Sequence, residues 1–347
     1  MVARSSVSMK DVATLAGVSV GTVSNVLNSP DLVSPATQER VRQAIEKLGW
    51  VRNESARQLR AGRSRSVGMV VIDIANPFFT DVVLGAEDHF HQTGYALHVG
   101  NSAQTPEREV AHLALFEEQR VRGILLAPIR DMTERIAELR RRGIAVVLVD
   151  RMSNGNDTCA VGVDDLEGGR LAMQHLLDQG HRSIAFVGGP STLHQVRDRR
   201  MGAELAAAGA GNSVVLLAVS IPSLAVESGI GAAAELAALP DGERPTAVFA
   251  ANDLVAIGLL QGFVTAGVRV PDDMAIIGYD DIAFAAAAAV PLSSIRQPRA
   301  ELGRRAAELL LAEIEAADGD GSHTHEQVRF APELVARRST LAPARVR

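Results

Sequence analysis

The stretch Met9-Lys10-Asp11-Val12-Ala13-Thr14-Leu15-Ala16-Gly17-Val18-Ser19-Val20-Gly21-Thr22-Val23-Ser24-Asn25-Val26-Leu27-Asn28 decides how the chain begins. Met9, Val12, Ala13 and Ala16 recur at helical spacing, and Gly17 stops that segment. Ser19 has the side chain to cap a second helix, Val20 to Leu27, on which Val23, Val26 and Leu27 form one apolar stripe. Two short helices joined by a tight, glycine-containing turn make a helix-turn-helix. Asn28-Ser29-Pro30 breaks the chain, and Ser34-Pro35 restarts it with an N-cap residue ahead of proline at the first helical position. The third helix runs to about Leu48, turns Val41, Ala44, Ile45 and Leu48 inward, and ends at Gly49. Three helices this short bury one small core and leave the outer face of the second helix free.

Charge is distributed to match. Residues 1–66 hold ten basic residues and five acidic ones, a balance of +5, so the remaining 281 residues carry −11 of the net −6. A basic head on an acidic body points to a polyanion-binding module joined to a separate domain. At 347 residues, with 47% apolar and 22% charged side chains, the chain is globular and large enough for two or three domains. No run approaches the ~20 apolar residues of a membrane span, and the first 25 residues have no signal-peptide pattern, so a cytoplasmic protein is expected. The single cysteine, Cys159, excludes an internal disulfide framework and is read as a small apolar filler.

The matched positions Met9 to Ala13, Ala16 to Ser19, Thr22 to Ser24, Val26 to Asn28 and Val41 to Leu48 resemble the headpiece of the LacI/GalR family of transcriptional repressors. The resemblance implies that the second helix enters the major groove with Val20, Gly21 and Asn25 at the base-reading positions. Asn25 has the chemistry for a bidentate contact to adenine, whereas Val20 can meet only a thymine methyl and Gly21 offers no side chain. Thr22, Ser24 and Asn28 suit phosphate contacts, which set register without reading sequence. Further on, Asn53 to Gly62 encodes a helix too short to be stable alone. It resembles the family's hinge helix, which implies Leu59 as a minor-groove wedge, Ala56 at a close dimer contact, and Arg57 and Arg60 at the DNA backbone or groove edge.

From Val67 onward, short apolar runs alternate with amphipathic stretches. Runs starting at Val67, Tyr95, Gly123 and Ala145, then at Ser183, Val214, Thr246 and Met274, read as buried parallel strands. Pro106 to Val121, Met132 to Arg142 and Gly168 to Gln179 read as intervening helices. The fold class expected is α/β: an all-α headpiece and hinge helix, then two doubly wound lobes. Ligands on such sheets bind at the carboxyl ends of the strands, so two facing units place a site between them.

Those strand ends carry Asn76-Pro77-Phe78-Phe79, Asp150, Asn252-Asp253 and Tyr279-Asp280-Asp281, with Arg199 opening a helix and Gln297 after a late strand. Carboxylates, amides and a guanidinium converging on a cleft suit a hydroxyl-rich or nitrogenous small molecule. They resemble the family's effector core, of periplasmic-sugar-binding architecture, which implies Phe78, Phe79, Asp150, Arg199, Asn252, Asp280 and Gln297 as effector-binding residues. Helix capping is the alternative role for Asp150, Asn252, Asp253, Asp280 and Asp281. Leu193-His194-Gln195 and Ile221 stand where relatives often place polar or aromatic contacts, a departure that bears on ligand identity.

The resemblance spans residues 9 to about 340. It divides the chain into a headpiece (1–50), a hinge and linker (51–65), a core (66–340) and a tail (341–347). Within the core, lobe 1 covers about 66–162 and 294–317, and lobe 2 about 163–293 and 326–340. A homodimer is expected, and the tail lacks leucine heptads, so tetramerisation through a C-terminal coiled coil is unsupported.

Other signals are weak. Gly229-Ile-Gly-Ala-Ala-Ala234 has a dinucleotide-like spacing but does not directly follow a strand. His323 and His325, near Asp318 and Asp320, are read as a solvated loop rather than metal ligands. Asp164-Asp165 and Asp280-Asp281 are adjacent pairs that point apart, with no nucleophile beside them, so no catalytic set, metal or cofactor is expected. The expectation is a regulator that binds a palindromic operator in double-stranded DNA under control of a small molecule, a sugar or sugar derivative first. Its rivals are a cytoplasmic solute-binding protein and an α/β enzyme of sugar metabolism. The helix-turn-helix argues against the first, and the enzyme would turn its ligand over.

Overall fold

A computed structural model describes residues 7–50, 64–153, 155, 157–211, 213–319 and 323–341. The chain forms two compact units, 1–63 and 64–347. The expected hinge helix with Ala56, Arg57, Leu59 and Arg60 lies outside the described residues, as do 342–347 of the tail.

In the first unit, α1 (Met9–Ala16) starts at Ser8, whose hydroxyl accepts from the Asp11 backbone while the Asp11 carboxylate accepts from the Ser8 N–H, a reciprocal capping box. Gly17, at φ 65°, supplies the left-handed residue that ends α1 and frees the chain to turn. Ser19 then caps α2 (Val20–Asn28), its Oγ accepting from Thr22 N at 3.0 Å. In α3 (Pro35–Leu48) the N-cap residue is Ser34, but its hydroxyl donates to the Thr37 hydroxyl at 3.0 Å and not to the backbone. The apolar stripes meet as read: Val12, Ala13, Ala16, Val23, Val26, Val41 and Ala44 are buried, with Met9, Leu27, Ile45, Leu48 and Trp50 packed against them.

The second unit holds two six-stranded sheets. The first runs β11-β5-β4-β3-β1-β2 and comprises β1 (Ser66–Val71), β2 (Ala96–Asn101), β3 (Gly123–Leu126), β4 (Ala145–Val149), β5 (Ala160–Val163) and β11 (Gln327–Phe330). The second runs β12-β10-β9-β8-β6-β7 and comprises β6 (Ser183–Gly188), β7 (Val215–Ser220), β8 (Ala247–Ala250), β9 (Ala275–Asp280), β10 (Ser293–Arg296) and β12 (Glu333–Val335). The described pairings are parallel except β10 with β12. Central strands such as β3 and β9 are buried along their whole length, as strands covered by helices on both faces must be.

Two lobe boundaries differ from expectation. Residues 294–296 belong to β10, which pairs with β9, so the return to the first sheet begins only after Gln297-Pro298. Residues 327–330 finish the first sheet, not the second: β11 pairs with β5 in register Gln327↔Ala160 through Phe330↔Val163. The cause is the outer edge of β5, whose four buried residues need a ladder partner. The alternating exposure of β11 suits that edge position. Only β12 then rejoins the second sheet.

Helices α4 (Pro77–Gln92) and α12 (Arg299–Asp318) cross over the first sheet at backbone contact. A methyl on Gly303 would stand 1.9 Å from Val82 O, and one on Gly85 would stand 2.1 Å from Ala300 O, so both positions require glycine. No helix among the described residues is long and apolar enough to cross a membrane.

Candidate functional site

Two surfaces carry the chemistry singled out above, one in each unit. In the first unit, α2 presents Val20, Gly21, Asn25 and Asn28 to solvent, Val20 at 39% exposure, while Thr22 and Ser24 are half-buried. The reason is the stripe: with Val23 and Val26 committed to the core, positions 20, 21, 25 and 28 must face out. Several of these side chains are already oriented. Thr22 Oγ1 is 2.9 Å from Ser19 Oγ, and Asn28 Nδ2 donates to Ser24 O at 2.9 Å and to Ser24 Oγ at 3.2 Å.

In the second unit a small, partly open cavity lies between the sheets at the carboxyl ends of their strands. Phe78, Phe79, Asp150, Arg199, Asn252 and Asp280 all line it. Gln297 is not on the wall but donates from Nε2 to Asp280 Oδ1 at 2.7 Å. Ile72, Asp73, Asn76, Gln104, Gln195 and Leu224 complete the lining.

The two sides touch. Asn76, the N-cap of α4, accepts from Phe78 N and donates from Nδ2 to Asp280 Oδ2 at 3.3 Å. Helix α8 (His194–Gly209) contributes His194, whose Nε2 bonds Asp150 O at 2.8 Å, and Gln195, whose Nε2 donates to Asp150 Oδ2 at 3.3 Å. Burial holds His194 down at about 4, so the ring is neutral. With its Nε2–H on a carbonyl, its buried Nδ1 is an acceptor without a partner. Arg299 adds a strap, donating to Asp81 Oδ2 at 2.8 Å and to the carbonyls of Asp280 and Asp281 at 2.6 and 2.7 Å. The space left at the centre is about 20 Å³, room for roughly one water.

Arg199 is spent on structure more than on the cavity. Its Nε donates to Asp165 Oδ1 at 2.7 Å, its Nη1 to Ala251 O at 2.8 Å, and its guanidinium lies 3.7 Å over the Tyr279 ring. Burial, the largest single effect, would weaken its charge, but Asp165, Tyr279, Asp280 and Asp150 together outweigh it and keep it protonated. Asp280, 3.8 Å from Arg199 Nη1, is pushed up to about 6 by burial, against the pull of Arg199 and the donors on Asn76 and Gln297. Asp150 is raised well above the usual carboxylate range by burial, and the nearby Asp165 carboxylate adds to it. Asn252 is a helix cap, accepting from Val255 N at 2.9 Å, while its Nδ2 donates to Leu224 O at 3.3 Å. Asp253 is wholly structural, accepting from Ser294 Oγ and Ile282 N at 2.7 and 2.8 Å.

Gln104, Asp150 and Asp280 adopt left-handed backbone at φ 59°, 57° and 103°, a conformation that costs non-glycine residues energy and clusters at binding sites. Gln104 Oε1, Asp150 Oδ1 and Gln195 Oε1 are buried without partners, so the cavity presents acceptors in search of donors. Sequence reasoning did not place Gln104, Gln195, Asp73 or Leu224 in the site. For Gln195 the available signals were its place at the start of a helix after a strand and its segment, Leu193-His194-Gln195, which stands where relatives often place polar or aromatic contacts.

Comparison with known proteins agrees with this geometry. Residues 8–53 match the family described as bacterial regulatory proteins, lacI family, and residues 173–340 match the periplasmic binding protein-like domain. The HTH-type transcriptional repressor PurR of Photobacterium profundum is 34% identical over 333 residues, 95% of this chain and 98% of that protein. PurR of Haemophilus influenzae shows the same 34% identity and the same shares of both chains. Among solved structures, the lac repressor dimer bound to operator and the anti-inducer ONPF aligns with TM-score 0.81 and 27% identity, over 97% of this chain and all of that one. The transcriptional regulator CelR in complex with cellobiose aligns with TM-score 0.70 and 31% identity, over 96% and 99%. A regulator from Enterococcus faecium with bound ribose aligns with TM-score 0.71 and 30% identity, over 79% and 98%. A helix-turn-helix unit followed by two doubly wound sheets, matched along nearly its whole length by such repressors, makes this chain a member of the LacI family of DNA-binding transcriptional regulators.

Proposed function

We propose that the protein represses transcription as a homodimer on a palindromic operator and that an uncharged, hydroxyl-rich small molecule, a sugar or sugar derivative, controls its grip. The observation that carries the effector class is the set of buried, unpartnered acceptors at Gln104, Asp150 and Gln195. Hydroxyl groups supply the donors these oxygens need. Asp280 faces the same space, and its carboxylate disfavours an anionic ligand such as a sugar phosphate. Phe78 and Phe79, packed edge to face with centroids 4.9 Å apart, offer the apolar wall on which a sugar's C–H face rests. The cellobiose and ribose held by two similar regulators support the same class.

Binding needs the cavity to widen, because the present space is far smaller than a monosaccharide. Effector and operator are then linked through the open–closed balance of the two sheets, each ligand shifting the affinity for the other by the same factor. On DNA, Asn25 reads bases in the major groove beside Val20 and Gly21, Thr22, Ser24 and Asn28 hold phosphates, and Leu59 with Ala56, Arg57 and Arg60 acts at the minor groove. Exposed Leu84, Val99, Val110 and Leu115 on the first-sheet half provide apolar surface for a second copy. A regulator of this kind works in the cytoplasm and leaves its effector chemically unchanged.

The experiment is a thermal-shift screen of sugars, sugar phosphates and nucleosides with and without operator DNA. A neutral sugar that shifts the midpoint, and shifts it differently with operator present, supports the reading. Shifts confined to anions or to nucleosides overturn the effector class.

A further inference from the structure

Away from the cavity, four side chains of ligating type converge. Cys159 directly precedes β5, Glu313 sits on the inward face of α12, and His323 and His325 lie on the segment leading into β11. One ligand atom from each lies within 4.8 Å of all the others. Cys159 Sγ is 3.2 Å from His323 Nε2 and 3.6 Å from His325 Nδ1, and Glu313 Oε1 is 3.2 Å from His325 Nδ1 and 4.0 Å from His323 Nε2. An ion with Zn–N and Zn–O bonds of about 2.0–2.2 Å and a Zn–S bond of about 2.3 Å holds tetrahedral ligand atoms roughly 3.3–3.6 Å apart. Three of the cross-distances, 3.2, 3.6 and 3.2 Å, already match that spacing, while His323 to Glu313 at 4.0 Å and the remaining pairs, none beyond 4.8 Å, need only small side-chain shifts to reach it. The pairing also differs from the sequence reading: Asp318 bonds Arg122, and the two histidines turn instead to Cys159 and Glu313.

We propose that Cys159, Glu313, His323 and His325 form a closed, four-ligand site for zinc(II). Sulfur and imidazole donors select a borderline transition cation over calcium or magnesium, which take oxygen ligands. Four protein ligands leave no open position, the mark of a structural site and not a catalytic one. A thiolate and a carboxylate together neutralise a divalent ion. The surrounding groups orient the ligands: Glu326 N donates to Cys159 Sγ at 3.3 Å, and Arg140 donates to Glu313 Oε1 at 3.3 Å and to Thr158 Oγ1 at 3.1 Å. Cys159 and Glu313 are buried, and the His323 and His325 side chains are only 18% and 26% exposed. The site stands at the amino ends of β5 and β11, the opposite end of the first sheet from the cavity. An ion there fastens the late strand β11 and the end of α12 to β5, and its presence is independent of the effector reading.

The test uses tag-free full-length protein, chelated and then re-equilibrated with zinc sulfate or cobalt chloride. Expected are one zinc per chain retained through gel filtration, a thermal midpoint raised by about 5 °C over the chelated protein, and a sulfur-to-cobalt charge-transfer band. Cys159→Ser abolishes the band, and His323→Gln and His325→Gln each weaken zinc affinity by more than ~10-fold. His325, at 26% the most exposed of the four ligands, gives the variant to read if Cys159→Ser fails to fold. No retained zinc and no midpoint shift in the natural chain overturns the proposal, as does zinc binding undiminished in the histidine variants.

Discussion

Asn76 Nδ2 and Asp280 Oδ2 lie 3.3 Å apart, so the helix that follows the first strand of one sheet is hydrogen-bonded to a strand end of the other. Gln195 to Asp150 makes a second such bridge, and Arg299 ties Asp81 to the carbonyls beside Asp280. The closed cleft is held by polar contacts, which exchange with ligand hydroxyls far more readily than packed apolar surface does.

Asp280 is the group whose titration should be visible. Its folded value is raised to about 6 from 3.8 by burial, so the folded state holds its proton where the unfolded state has lost it. That contribution to stability is full below about pH 4 and is lost as pH rises to about 6, amounting to roughly 1–3 kcal/mol. Thermal midpoints of the natural chain and Asp280→Asn, compared from pH 4 to 7, should diverge over that window, with the natural chain losing stability relative to the variant. Parallel curves would contradict the assignment.

Gln195→Ala removes one bridge to Asp150 and one lining acceptor. Effector affinity measured by calorimetry should fall by about tenfold, the worth of a buried hydrogen bond of ~1.5 kcal/mol, while operator affinity without effector changes less. An unchanged effector affinity would remove Gln195 from the site.

On the exposed face of α2, Asn25→Ala should cost about 1–3 kcal/mol of discrimination at a single operator base pair. Thr22→Ala should weaken binding to all sequences alike. A binding-site selection on each variant separates the two; a change of preferred sequence with Thr22→Ala would reverse the roles.

Two glycines test the packing. Gly303→Ala puts a methyl 1.9 Å from Val82 O at the α4–α12 crossing and should destabilise by ~1–3 kcal/mol. Gly231→Ala, in the helix Val226–Ala237 with nothing within 4 Å of its added carbon, should stabilise by about 0.5–1 kcal/mol. Chemical denaturation gives both signs.

Local periodicity made the headpiece legible: Ser19 as a cap, Val23 and Val26 inward, and Gly17 at the turn all follow from spacing within one or two helical turns. The strand-end rule likewise brought Phe78, Phe79, Asp150, Arg199, Asn252 and Asp280 to one cavity. The rule does not distinguish a side chain facing the cavity from one spent on scaffolding, so Arg199 and Asn252 look alike in sequence yet serve mainly Asp165 and a helix cap. Strand β11 was assigned to the wrong sheet because four residues of weak alternation carry no address, and its partner β5 lies more than 160 positions earlier. The same separation hid the meeting of Cys159 with His323 and His325. Gln104 left no mark because its role depends on a left-handed turn that its residue type does not announce.

The most direct test measures the full-length protein against a fluorescent inverted-repeat duplex and a random duplex at fixed moderate salt, titrating the sugar found by screening. The account predicts a clear preference for the inverted repeat and a change in that affinity with sugar, matched by an equal change in sugar affinity when operator is present. Equal binding to both duplexes, or operator affinity indifferent to a sugar that demonstrably occupies the cavity, would contradict it.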